Sequence, residues 1–306
     1  MDAIDTRLAH FARNAFGHFT AGHAALVGFS ANQRAYRLDA GLWESQYEDV
    51  YRLAGVPPTW RGDILAACWA GGFRAVASHR SAAALWRLAG GRRHIAEITC
   101  PRWRRARHDG VLVHETSALD PCDVTMVDGI PVTTPERTLL GMAEVCSPSL
   151  LEMAEDGAER RGLVTPGSIR AMLVRLARPG RGGVRALRDL IDARSPERAT
   201  PESEKETQLV QAFRAFGLPE LVTQHEVRQG GRLVGRVDAA YPQARIAIEY
   251  DSDEFHGGRL ALVRDSERRS RLLAAGWHPF TATDAELRAG CRTLCPAVAD
   301  VLRRAS

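Results

Sequence analysis

A chain of 306 residues exceeds what one hydrophobic core ordinarily supports and predicts two or three domains. With 45% hydrophobic and 25% charged residues the composition excludes disorder, and no run approaches the ~18 consecutive apolar residues of a membrane span. The net charge of +4 comes almost wholly from arginine, Lys205 being the one lysine, so a nucleic-acid partner is permitted but not demanded.

Six scattered cysteines (Cys68, Cys100, Cys122, Cys146, Cys291, Cys295) match neither a zinc pair nor a disulfide framework. The acidic start, Met1 to Asp5, is unlike a secretion signal, which places the chain in the cytoplasm. The pattern along the chain is that of an α/β multidomain protein, with segments 1–56, 57–194 and 200–306.

In the first segment Leu8, Phe11, Ala12 and Ala15 fall at helical spacing. Thr20 caps a second helix that ends before Gly28, and Ser30 caps a third that ends before Gly41. Leu42 to Tyr51 reads as a hairpin. Three helices and a hairpin outline a winged helix, whose third helix would lie in the DNA major groove. Asn32, Gln33, Arg34 and Arg37 are then the groove-facing candidates, since Asn and Gln pair with adenine and Arg with guanine. The other reading is a winged helix that packs against a protein, because Glu44, Glu48 and Asp49 on the hairpin would repel a phosphate backbone.

The middle segment mixes helices at Trp60 to Ala70 and Ser81 to Leu88 with strands at Arg74 to Ser78, His94 to Thr99 and Gly110 to His114. Its densest basic run, Pro101 to His108, is either a phosphate contact or a solvated loop. His79, beside Arg80 at a helix start, reads as structural in the absence of a visible partner. Arg194 to Pro201 is polar, holds two prolines and marks a linker.

Two stretches of this segment, Ser78-His79-Arg80-Ser81-Ala82-Ala83-Ala84-Leu85-Trp86 and Gly129-Ile130-Pro131-Val132-Thr133-Thr134-Pro135-Glu136-Arg137-Thr138-Leu139-Leu140, resemble the AbiEi group of antitoxin-like transcriptional regulators. Gly141 stands where relatives often carry aspartate. The resemblance covers residues 1 to 190 and implies a winged helix before a mixed α/β domain. It also implies DNA and a cognate toxin or other protein as partners.

The last segment reads helix, three strands, helix, strand, helix, with Gly230-Gly231 and Tyr241 to Ala244 as turns. A turn centred on Gln243 and Ala244 sets Asp238 across from Glu249 or one residue away. Alternation puts Ile246, Ile248 and Tyr250 on one face and Ala247, Glu249 and Asp251 on the other. Like charges at ~5 Å across strands repel, so three converging carboxylates call for a reason. A divalent cation with hard oxygen ligands at about 2.1 Å is one. A shared proton, or surface acids splayed into solvent, are the others.

Gly235-Arg236-Val237-Asp238, Ile246 to Asp251, His256, Arg264-Asp265, Arg268 and Gly276-Trp277 together resemble the very-short-patch-repair (Vsr-like) branch of the PD-(D/E)XK nucleases. The resemblance implies a restriction-endonuclease-like α-β-β-β-α-β domain. Asp238 and Glu249, with Asp251, would be its metal-binding acids, and Glu206 its helical glutamate, with Glu204 and Glu202 as other registers. Mg2+ or Mn2+ would be the cofactor. Asp251 stands where the broad pattern has lysine, which shifts the general base or phosphate contact to His256 and the phosphate clamps to Arg264 and Arg268. The function implied is a magnesium-dependent DNA endonuclease or nickase positioned by the winged helix. The alternative is a non-catalytic regulator of antitoxin type with a decayed nuclease-like domain.

Overall fold

The computed structural model describes residues 3–101, 110–178, 181–193, 203–251 and 259–305, with the backbone alone at 259–265. The predicted linker, His256, Glu202 and all of the basic run after Pro101 lie outside them. The chain divides into two compact units, residues 1–154 with 164–191 and residues 155–163 with 192–306. No helix among the described residues is long and apolar enough to cross a membrane.

The first unit opens with α1 (Ala3–Arg13), β1 (His18–Thr20), α2 (Ala21–Val27), α3 (Ala31–Asp39), β2 (Trp43–Tyr47) and β3 (Val50–Leu53). Side-chain oxygens start the two short helices: Thr20 Oγ1 accepts from His23 N at 3.1 Å, and Ser30 Oγ from Gln33 N at 3.2 Å. Gly28, at φ +111°, ends α2 in a conformation that a side chain would resist. The strands form a sheet of order β1-β3-β2. Leu8, Ala12, Phe19, Ala24, Phe29 and Trp43 fill the space beneath it, with Trp43 edge-on to Phe19 and Phe29 at 4.7 and 5.1 Å.

This motif, the predicted 1–56 segment, lies within the first compact unit. It shares one body with α4 (Trp60–Ala70), β4 (Val76–Ala77), α5 (His79–Leu85), β5 (Ala96–Pro101), β6 (Val111–Thr116), β7 (Val124–Val127), β8 (Ile130–Thr133), α6 (Pro135–Val145), the start of α7 (Pro148–Arg160) up to Ala154, α8 (Pro166–Leu176) and α9 (Val184–Asp192) up to Ile191. Trp69 of α4 stacks against Phe11 of α1 at 6.4 Å and meets His23 of α2 edge-on at 5.1 Å. These half-buried rings join the motif to α4. The five strands β4 to β8 form a mixed sheet of order β6-β5-β4-β8-β7.

The second unit contains α10 (Glu204–Ala215), β9 (Val222–Gln229), β10 (Arg232–Tyr241), β11 (Ile246–Asp251), α11 (Arg259–Ala274), β12 (His278–Thr283), α12 (Asp284–Arg288) and α13 (Leu294–Ala305). Its sheet has the order β12-β11-β10-β9, antiparallel except for the parallel β11–β12 pair. Ile246 and Ile248 pack with Leu209 and Phe213 of α10 and Val298 of α13. Ala240 and Ala247 turn to the opposite face, against Leu272 of α11 and Trp277. A helical turn at Pro242–Ala244 and Arg245 at φ +51° reverse the chain between β10 and β11.

Gly62, in α4, lies against His18: a Cβ there would fall 2.6 Å from His18 Cε1 and 3.0 Å from Phe16 Cβ. Gly62→Ala therefore overpacks the junction, with an expected loss of about 1–3 kcal/mol read as a lower Tm. An unchanged Tm would show that this junction yields freely.

Candidate functional site

The β10–β11 pairing runs from Tyr241 opposite Ile246 to Ala239 opposite Ile248, so Asp238 is the next residue toward Glu249. Asp238 has the parity of Ala240, and Glu249 and Asp251 that of Ala247, so all three acids belong to the sheet face that packs on α11. They line a cleft of about 510 Å³ together with Arg268, Arg269 and Thr281. Asp238 Oδ2 accepts the Tyr250 backbone N–H at 2.8 Å, which holds that carboxylate toward β11. Glu249 forms an ion pair with Arg268, whose Nη2 also donates to the Arg236 carbonyl. In this state the guanidinium is the counter-charge to the acid pair.

Other predicted site residues are placed differently. Glu206 is 6% exposed; it accepts from Gln224 Nε2 at 2.8 Å and from Ser203 Oγ at 3.2 Å, and is not among the residues lining the cleft. Glu204 is exposed at the start of α10. Arg264 lies in α11 where only the backbone is described, and His256 lies outside the described residues. Lys205 pairs with Asp284, and its Nζ sits 5.9 Å from the centre of the Tyr250 ring. Hydrogen bonds from Lys205 and then Tyr250 hold the Asp284 carboxyl below its ordinary range. Sequence reasoning missed Asp284 and Arg269. The parallel pairing of Asp251 with Thr283, the residue before Asp284, is what brings Asp284 near β11.

On α3, Asn32 and Gln33 are exposed as predicted, but Gln33 Oε1 is already used, accepting Ser30 N at 2.9 Å. Arg34 Nη1 donates to the Ala21 carbonyl at 3.3 Å. Arg37 does not project outward as expected. It grips Asp5 of α1 through Nε and Nη2 at 3.1 and 2.9 Å and lies 4.4 Å over the Phe29 ring, because a guanidinium gains more from a carboxylate and an aromatic face than from solvent. The outward surface of α3 is instead Asn32, Ala35, Tyr36 and Asp39, with Tyr36 66% exposed. On the hairpin, Arg52 neutralises Glu44.

No protein-family model matches the chain. The uncharacterized proteins MT2308 and Rv2248, from two strains of Mycobacterium tuberculosis, are each 34% identical to it over 125 residues, which is 41% of this chain. The match spans 40% of the length of these curated relatives, and their names state no activity.

Arg37→Ala is expected to cost about 1–3 kcal/mol of stability, because Asp5 loses a charge-assisted double hydrogen bond. Asn32→Ala should leave stability within about 0.5 kcal/mol of the parent. Chemical denaturation of the two variants checks this, and equal midpoints would contradict the inward placement of Arg37.

Proposed function

We propose that the second unit is a metal-dependent nuclease domain of restriction-endonuclease type, acting on DNA that the N-terminal helices help to hold. The observation that carries this reading is that Asp238 and Glu249, each one residue beyond the last β10–β11 pair, and Asp251 line one cleft with Arg268 and Arg269. The order α10-β9-β10-β11-α11-β12 matches the one implied by the Vsr-like resemblance. Three carboxylates with hard oxygens fit Mg2+ or Mn2+. Such an ion would supply charge against the phosphate and an acidified water.

The residues divide the remaining work. Asp238, fixed by the Tyr250 N–H, presents its free oxygen to the cleft. Arg268 leaves Glu249 when a cation takes over that charge, and with Arg269 becomes a donor to phosphate oxygens. The exposed Asn32 and Tyr36 of α3 replace Arg37 as candidate DNA contacts.

A second reading, a non-catalytic regulator that binds DNA and a partner protein, is favoured by the Arg268–Glu249 ion pair. A carboxylate neutralised by a neighbouring side chain has no need of a metal.

Purified protein incubated with supercoiled, linear, mismatched and single-stranded DNA plus Mg2+ or Mn2+ should give metal-dependent cleavage of at least one substrate, lost to background in Asp238→Ala. A shift of its own promoter DNA with no metal-dependent product, or equal cleavage by the variant, favours the regulator. Arg268→Ala should tighten Mn2+ binding a few-fold in titration calorimetry, the scale of a half-exposed ion pair worth about 1 kcal/mol. Weaker Mn2+ binding by that variant would contradict the competition.

A further inference from the structure

The two sequence stretches that carry the N-terminal resemblance converge in the first unit. His79 of the Ser78–Trp86 stretch and Arg137 of the Gly129–Leu140 stretch line one cavity of about 480 Å³. Thr99 of β5, His114 of β6, and Arg178 and Arg181 after α8 complete its reactive lining. All of these residues belong to the first unit.

Several buried donors in its wall are unmet. Among the described residues of this unit, five buried side-chain atoms lack a hydrogen-bond partner, and four of them, His79 Nε2, Thr99 Oγ1, His114 Nε2 and Arg137 Nε, belong to residues lining this cavity. The two imidazole nitrogens still face carboxylates, His79 Nε2 at 3.8 Å from Glu144 and His114 Nε2 at 3.6 Å from Glu97, so Thr99 Oγ1 and Arg137 Nε are the atoms most in need of an acceptor. Arg137 is 5% exposed, and arginine is seldom buried to that degree without a paired anion. Burial, and next the nearby Arg181, lower its affinity for its proton. His79 is 3% exposed; its Nδ1 lies 2.9 Å from Ser78 Oγ, so with Ser78 donating, the ring proton sits on Nε2. Gly141 leaves room for this ring, since a Cβ there would lie 3.1 Å from His79 Cδ2. His79, Thr99, His114 and three arginines thus offer donors, against two glutamates, Glu115 and Glu144, among the described lining residues.

We propose that this cavity is a binding site for a phosphate group, either inorganic phosphate or the phosphate of a small monoester. A phosphate accepts hydrogen bonds from many directions, which suits donors arriving from α5, α6, β5, β6 and the segment after α8; a planar carboxylate would leave several of them unmet. The competing occupant is a metal, because donor atoms of His79, Glu97 and His114 lie within 4.8 Å of one another. The imidazoles of His79 and His114 are stacked 3.4 Å apart at 16°, however, so an ion in the plane of one ring lies out of the plane of the other. Glu97 is also engaged already. Although burial pushes its carboxyl up, its contacts with His114 and then Arg80 win and pull it down to about 2.

The test is titration calorimetry and thermal melting of the full chain with inorganic phosphate, a 5′-mononucleotide and acetate, each with and without EDTA. Saturable binding of phosphate or the mononucleotide, unaffected by EDTA and absent for acetate, supports the site. Tighter binding of the mononucleotide assigns it to a monoester, and tighter or equal binding of phosphate assigns it to the free ion. Arg178→Ala, at an exposed position, should weaken binding about tenfold or more with the unliganded Tm unchanged. Arg137→Met should abolish binding and raise the unliganded Tm, because it removes an unpaired buried charge. No saturable binding of either phosphate ligand, binding that vanishes with EDTA, or a lower Tm in Arg137→Met with binding intact would overturn the proposal.

Discussion

The repulsion between Asp238 and Glu249 is the constraint on which the second unit turns. The β10–β11 ladder that places them is locked from both faces: Ile246 and Ile248 are buried toward α10 and α13, Ala240 and Ala247 toward α11. A slip of one residue would drive Glu249 into the apolar layer beside Phe213 and expose the isoleucines, so the acids cannot relax by changing register. Nor can Asp238 swing freely, because its carboxylate takes the Tyr250 N–H just past the last Ala239–Ile248 pair. The sheet therefore holds two like charges together and leaves their compensation to whatever cation is at hand. Arg268 supplies it here. An ion with a higher charge and a smaller radius competes for the same oxygens.

The first unit presents the opposite imbalance. In the second, three carboxylates line one cleft, and the proposal fills it with a cation; in the cavity behind His79 and Arg137, unmet donors line the wall, and the proposal fills it with an anion. Both arise where the backbone is settled by apolar packing elsewhere: Ile98 and Val132 in one unit, Ile248 and Ala247 in the other, are fully buried. That packing stabilises the fold enough to tolerate unmatched polar groups, which cost free energy until a ligand meets them.

What was legible in the sequence follows the range of the interaction concerned. Thr20 and Ser30 announced α2 and α3 because a cap bonds three residues away, and the alternation of Ile246 to Asp251 gave the correct faces because strand period is a local property. The three residues of β1 are too short to show a pattern, and their strand character comes from pairing with Val50 to Arg52. Pro135, Pro148 and Pro166 each open a helix, a signal that apolar spacing alone does not reveal. Arg37 turns to Asp5, far back in the chain, and Glu206 to Gln224, on another element, and no local spacing reveals either partner. His79 found its stacking partner, His114, only through the β5–β6 pairing that the tertiary fold supplies.

The central claim is that the carboxylate cleft of the second unit is a divalent-metal site held shut by an arginine. Anomalous diffraction from crystals grown with Mn2+ tests it most directly. The account predicts a peak bonded to Asp238 and Glu249 at about 2.1–2.2 Å, near the length for hard oxygen ligands, with Arg268 displaced from Glu249. A cleft without a peak and with Arg268 still paired to Glu249 at saturating Mn2+ would contradict it.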